Sequence, residues 1–169
     1  MRAYFDEFWC DQQFGFRSGT STVDALYNVV SDIQSSRCER EVSAMALVDV
    51  AKAFDSIPHD ILLRKLRRYG VIGTELSWLE SYLSDREQIV DVRGSLSEKM
   101  GLSSGVPQRS VLGPTLFLIF INDLPYYSQC KVTMYADDTT LEISASNPFE
   151  LETRAQLCMD AIVTWFDSN

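Results

Sequence analysis

Histidine is almost missing from this chain: His59 is the only one in 169 residues. A metal site built from several imidazoles is therefore excluded. The four cysteines, Cys10, Cys38, Cys130 and Cys158, are widely scattered and none belongs to a CxxC pair. That removes a structural zinc site and leaves reduced thiols of an intracellular protein as the expectation. Positive charge is short as well, with 15 Lys and Arg against 24 Asp and Glu and a formal charge of −9. Such a balance argues against a protein that grips nucleic acid with its whole surface, although an acidic metal site would itself add to the deficit. Long apolar runs are lacking too. The longest, Val111 to Ile121, contains Gly113 and Pro114 and is too short to cross a bilayer. Met1-Arg2 leads into Tyr4, Asp6 and Glu7, with no secretory pattern. The expected setting is the cytoplasm or nucleus, with no membrane partner.

What is present is globular. Hydrophobic residues make up 46% and charged residues 23% of the chain, enough for one domain or part of one with a substantial core. No internal repeat, low-complexity tract or linker interrupts it. Ser21 and Asp24 form an S-x-x-D capping signature. Val23, Leu26, Tyr27, Val30 and Ile33 then recur at helical spacing, which predicts a helix to about Ser36. The run Ala44 to Val50 is apolar on both alternating faces, as in a strand covered on both sides. Pro58 opens a second helix with Leu62, Leu63 and Leu66 as its stripe and Gly70 as its stop. The basic cluster Arg64, Lys65, Arg67 and Arg68 reads as that helix's solvated face.

Thr74 precedes a third helix carrying Leu76, Trp78, Leu79 and Tyr82. Between Gln88 and Leu102 the pattern turns extended, a two-stranded element joined around Gly94-Ser95. The loop Gly105 to Gln108 leads into an apolar helix from Val111 to Asp123, stopped by Pro125. Asn147-Pro148 with Glu150 begins a last helix, whose face of Leu151, Ala155, Cys158, Ile162, Trp165 and Phe166 suits a core. The fold class this implies is α+β.

Two acidic features stand out. Tyr135-Ala136-Asp137-Asp138 lies between the β-prone runs Cys130–Met134 and Thr139–Ser144, which predicts a hairpin with adjacent carboxylates at its tip. Asp is a common turn residue, so a solvated Asp-Asp turn is the commoner meaning of the dipeptide alone. Paired acids also hold the ions of two-metal phosphoryl-transfer sites. Asp49 ends the apolar strand, where a charge is costly unless paired or bound to metal. Its other reading is a cap or turn residue, although apolar Val50 and Ala51 follow it rather than Gly or Pro.

Four blocks, the second of which holds Asp49, precede the YADD stretch in order. They are the blocks Gln13 to Thr22 (QFGFRSGTST), Leu47 to Asp60 (LVDVAKAFDSIPHD), Gly105 to Pro114 (GVPQRSVLGP) and Phe120 to Pro125 (FINDLP). With the YADD stretch they closely resemble the reverse transcriptases of non-LTR (LINE-type) retrotransposons, from about Phe14 to Phe166.

The resemblance implies a right-hand polymerase palm in which a small antiparallel sheet with the carboxylate hairpin packs against helices. A fingers remnant would cover about residues 1–40 and the palm about 41–169. It further implies that Asp49, Asp137 and Asp138 are catalytic and hold two Mg2+ ions, with Mn2+ as an alternative. Val50, Phe54 and Gln108 would bind the nucleotide, with Phe54 excluding a ribose 2′-hydroxyl. Taken alone, Phe54 reads as a core residue of a strand-to-helix turn. Arg17 and Tyr135 would contact nucleic acid, although a surface arginine and a strand tyrosine need no such role. The implied partners are an RNA template with a DNA primer and deoxynucleoside triphosphates.

Two departures are expected to matter. Arg109 stands where the family usually has glycine. The chain would begin after the fingers segment with the triphosphate-binding basic residues and end before the lysine-bearing motif and the thumb, with no endonuclease. The missing regions would be encoded elsewhere in the parent element. A reverse transcriptase core fragment is the leading reading, and a decayed, inactive element-derived protein that keeps the fold or a binding role is the second. A metal-dependent phosphohydrolase is the third, disfavoured by the lone His59.

Overall fold

A computed structural model describes residues 2–50 and 52–169. In chain order the elements are α1 (Arg2–Phe5), α2 (Thr22–Cys38), β1 (Val42–Val48), α3 (His59–Arg68), α4 (Gly73–Leu83), β2 (Arg86–Gln88), β3 (Asp91–Val92), β4 (Ser95–Leu96), β5 (Met100–Leu102), α5 (Gly113–Ile121), α6 (Leu124–Tyr127), β6 (Lys131–Tyr135), β7 (Asp138–Ala145) and α7 (Pro148–Ser168). They fall into two compact units, one of residues 1–51 with 121–169 and one of 52–120.

The first unit is built on an antiparallel sheet of order β1-β7-β6. Hydrogen bonds from Phe14 N to Met134 O (2.8 Å) and from Met134 N to Gln12 O (2.7 Å) add a short parallel bridge beside β6. Alternation gives the sheet two unlike faces. Val132, Met134, Leu141 and Ile143 are buried on one, against which α7 sets Cys158, Ile162 and Trp165. Each such side chain contributes about 1.5–3 kcal/mol by leaving water. As expected, α7 starts at Asn147, whose side chain accepts from Glu150 N at 3.0 Å.

The opposite face is polar, and this inverts α2. The Ser21–Asp24 capping box forms as expected, and its Ser21 hydroxyl and N–H hold Asp24 below the usual carboxylate range. Toward the sheet, however, the helix presents Ala25, Asn28, Asp32 and Ser36. Asn28 donates to Thr133 Oγ1 at 2.8 Å, Ser36 to Glu142 Oε1 at 3.3 Å, and Lys131 pairs with Asp32 at 3.0 Å. A polar helix row satisfies a polar sheet face, so the apolar stripe turns outward: Val23, Leu26 and Tyr27 are 71%, 63% and 75% exposed. The expectation that β1 is covered on both sides is corrected in the same way. It is an edge strand, and Met45 and Leu47, on the α2 side of the sheet, are exposed.

Two more expectations change in this unit. Cys130 and Cys158 are not separate thiols but are joined by a disulfide between the start of β6 and α7, whereas buried Cys10 and exposed Cys38 are free. Pro125 does not stop the apolar helix. That helix ends at Ile121, and Pro125 sits in the first turn of the separate α6.

In the second unit α3 and α4 pack through Leu62, Leu66, Leu76, Leu79 and Leu83, all buried. The carboxyl end of α3 closes as expected, with Gly70 N bonded to Arg67 O and Val71 N to Leu66 O, the Schellman arrangement. Lys65 departs from the solvated basic face. It is buried, donates to Phe120 O at 2.6 Å and lies 4.9 Å over the Phe120 ring, while Arg64, Arg67 and Arg68 stay exposed. Thr74 lies within the first turn of α4, whose N-cap is Ile72. The extended region is an interrupted ribbon, with β3 pairing β4 across Arg93-Gly94 and β2 pairing β5 further out. Helix α5 buries every residue from Leu116 to Ile121.

Candidate active site

The acidic hairpin forms as its sequence suggests. β6 and β7 pair up to Tyr135↔Asp138, which leaves Ala136 and Asp137 as a two-residue turn. Ala136 has φ 58°, a positive value at the first turn position that hairpins of this length normally give to glycine. For an L-residue that conformation costs about 1–2 kcal/mol, so something must hold it. The buried Gln13 does: its Oε1 accepts from Ala136 N at 2.9 Å and its Nε2 donates to Ala136 O at 3.1 Å. The same Oε1 accepts from Gly15 N at 2.7 Å. Gly15 must be glycine here, because a Cβ would come within 2.1 Å of Ala136 N.

Asp49 follows the last residue of β1, where the β1–β7 register ends. β1 and β7 pair from Val42↔Ala145 to Val48↔Thr139, so the last pair of the ladder directly precedes Asp49 and directly follows Asp138. Asp49 and Asp138 are exposed and Asp137 half-buried. Like charges brought close together repel, and hard carboxylate oxygens are the donors Mg2+ prefers. The donor type of each acid therefore suits a divalent ion. Among the described residues, no three His, Cys, Asp or Glu side chains are gathered closely enough to hold one ion together.

Other candidate residues of this unit are placed as follows. Tyr135 is half-buried at the end of β6. Val50, also half-buried, follows Asp49 just past β1. Arg17 commits its Nη1 to the carbonyls of Cys10 (2.7 Å) and Gln13 (2.9 Å), strapping the turn that carries Gln13. Behind the acids, on the α2 face, lies buried Glu142, whose Oε2 has no partner among the described residues. Burial, then the nearby Asp32 charge, pushes Glu142 above the usual carboxylate range, against the pull of Lys131 and the Ser36 hydroxyl.

Phe54 and Gln108 belong to the second unit. The Phe54 ring stacks on Phe117 with centroids 5.0 Å apart and planes at 23°, yet it stays half-exposed rather than sealed in the core. Gln108 is exposed, and its Nε2 donates to both oxygens of Asp55 at 2.9 and 3.0 Å. Its loop is bound to the segment after Phe54 by Val106 N to Phe54 O (2.7 Å) and Gly105 N to Ile57 O (2.8 Å), while His59 Nε2 lies 2.7 Å from Gly105 O. Gly105, at φ 89°, lies so near Asp55 that a Cβ would approach its carbonyl oxygen to 2.8 Å. Lys52, Asp55, Arg86, Gln88 and Gln108 help to line a cavity of about 690 Å³. Arg109 is exposed at the third position of the turn Pro107–Ser110, with φ 58°. Type II turns use glycine there.

Sequence reasoning missed Gln13, Gly15 and Asp55 as supports. All three lie inside the blocks quoted above, so the signal was a glutamine beside a glycine and an acid following Phe54. Nothing local said which backbone they would meet.

A profile of the family described as reverse transcriptase (RNA-dependent DNA polymerase) matches residues 1–169. A probable RNA-directed DNA polymerase from transposon BS of Drosophila melanogaster is 34% identical over 169 residues, covering 92% of this chain and 18% of that protein. The RNA-directed DNA polymerase from the mobile element jockey of the same fly is 31% identical, with the same two coverages. A probable polymerase from transposon X-element, again of Drosophila melanogaster, is 32% identical over 76% of this chain and 14% of its own length. The chain thus spans less than a fifth of the relatives it matches. Its helices and small antiparallel sheets fit a polymerase palm. With its whole length matched by that profile, the chain belongs to the reverse transcriptase (RNA-dependent DNA polymerase) family, and the relatives it resembles are polymerases of non-LTR retrotransposons.

Proposed function

We propose that this chain is the catalytic core of an RNA-directed DNA polymerase, which joins deoxynucleoside triphosphates to a DNA primer on an RNA template. The observation that supports the reading is the end of the β1–β7 ladder at Val48↔Thr139, one residue from both Asp49 and Asp138 and beside the Asp137 turn. In this reading Asp49, Asp137 and Asp138 hold two Mg2+ ions, or Mn2+ in their place. When bound, the ions neutralise charge on the attacking 3′-oxygen, the α-phosphate and the leaving pyrophosphate. The protein's share of the work is positioning, which dominates phosphoryl transfer. Val50 and Phe54 bind the nucleotide, the Phe54 ring against the sugar where a 2′-hydroxyl would stand. Gln108 lies beside the nascent base pair, and Arg17 and Tyr135 contact nucleic acid. Residues 1–40 correspond to a fingers remnant and 41–169 to a right-hand palm. The remaining fingers, the thumb and the endonuclease belong to other parts of the element, and the reaction takes place in cytoplasm or nucleus.

One observation favours a second reading, an inactive element-derived fragment: Arg109 holds a turn position made for glycine. The two readings separate in a chimaera of the full-length jockey polymerase carrying this segment. DNA synthesis on a primed RNA template supports the polymerase. A correctly folded chimaera that extends no primer, while the jockey parent does, leaves the fragment reading.

A further inference from the structure

We infer that Gln13 is a positioning residue for the carboxylates, which it places by clamping the turn between them and β6; the inference rests on the metal-site reading above. Gln13 is only 1% exposed. A buried carboxamide must find partners for both ends, and here both ends meet one residue. Oε1 takes Ala136 N at 2.9 Å and Nε2 reaches Ala136 O at 3.1 Å, so the amide brackets the peptide units on either side of Ala136.

The clamp answers a need that the turn creates. Ala136 is held at φ 58° and is 7% exposed, so it neither prefers this conformation nor has water to support it. Released, alanine would return to negative φ. The Ala136–Asp137 peptide would rotate, and both carboxylates would move with it. The support is itself fixed in place. The Phe14 N to Met134 O bond at 2.8 Å ties the neighbouring backbone to β6, and Arg17 Nη1 donates to the Gln13 carbonyl at 2.9 Å. Gly15 lets the segment approach closely enough for the clamp to close. Asn is one methylene shorter, and Met offers neither donor nor acceptor, so glutamine is specifically suited.

The test is made on the 169-residue chain by NMR, with Mn2+ as the probe. Gln13→Met keeps the length of the side chain but deletes the clamp. The expected result is amide exchange at Ala136 at least about tenfold faster, with parental protection at Leu141 and Ile143. Mn2+ broadening of the Asp137 and Asp138 signals should also need at least about tenfold more ion. Parental exchange at Ala136 and an unchanged Mn2+ midpoint would overturn the inference. If the parent chain shows no Mn2+ broadening at these residues, the metal reading fails, and Ala136 exchange alone decides whether Gln13 fixes the turn.

Should Gln13→Met fail to fold, Gln13→Glu decides. A protonated glutamic acid offers one donor and one acceptor, as glutamine does, and its carboxylate offers no donor. The Ala136 amide and carbonyl shifts of Gln13→Glu should match the parent while the introduced carboxyl is protonated and depart from it once the carboxyl's own 13C signal reports ionisation. Shifts that still follow the parent after that carboxyl has ionised, or that differ from it while the carboxyl is protonated, would overturn the clamp.

Discussion

Replacing Arg109 by glycine should stabilise the chain. Arg109 sits at φ 58° in the turn closed by Ser110 N and Pro107 O, and its side chain is exposed. An L-residue in that region costs about 1–2 kcal/mol. Glycine removes this strain but brings back about 0.4–1 kcal/mol of unfolded-chain entropy. The net expectation is a gain of about 0.5–1 kcal/mol. At about 2–4 °C per kcal/mol for a chain of this size, Tm should rise by about 1–4 °C. Arg109→Ala is the control, since alanine keeps the strain, and its stability should stay within about 0.5 kcal/mol of the parent. Urea denaturation of the three proteins separates backbone from side chain. Glycine no better than alanine would refute the strain argument. In the chimaera the same substitution should raise kcat/KM by about tenfold, or about 1.4 kcal/mol of barrier, by relieving crowding at the nucleotide. A fall caused by weaker nucleotide binding would make Arg109 a substrate ligand.

Leu141→Ala, at a fully buried β7 position, should cost about 2–5 kcal/mol by denaturant unfolding, whereas Leu26→Ala on the outward stripe of α2 should cost under about 0.5 kcal/mol. Equal costs would mean that α2 packs the other way round. The folded-state pKa of Glu142 is raised above 4.5, so the folded form is favoured when Glu142 is protonated and is penalised as pH rises through that raised value. Glu142→Gln should therefore add roughly 1 kcal/mol of stability at pH 7, with the gain vanishing below about pH 4; a gain that persists at low pH would contradict the burial argument. Phe54→Ala in the chimaera should relax discrimination against ribonucleotides, and unchanged selectivity would leave Phe54 as a packing residue on Phe117.

Local signals found the elements well and their surroundings poorly. The Ser21–Asp24 box, the Gly70 closure and the Asn147-Pro148 start all formed because capping is decided within a few residues. The YADD hairpin was legible for the same reason. The face of α2 was not, because the polar side of the sheet it meets comes from Lys131, Thr133 and Glu142, about a hundred residues later. Lys65 reads as surface until the Phe120 carbonyl is in place to receive it. At the site, the acids carry a visible chemical signature. The residues that hold their backbone do not, since a clamp such as Gln13 acquires meaning only when the chain returns at Ala136.

The most direct measurement is single-turnover addition of one deoxynucleotide to a DNA primer on an RNA template, comparing the chimaera with its Asp137→Asn variant at saturating Mg2+. Loss of a carboxylate that stabilises transition-state charge should slow addition by about 10²–10³-fold or more, with primer–template affinity and circular dichroism unchanged. A rate within about tenfold of the parent, from a folded variant, would contradict the assignment of these carboxylates to the chemistry.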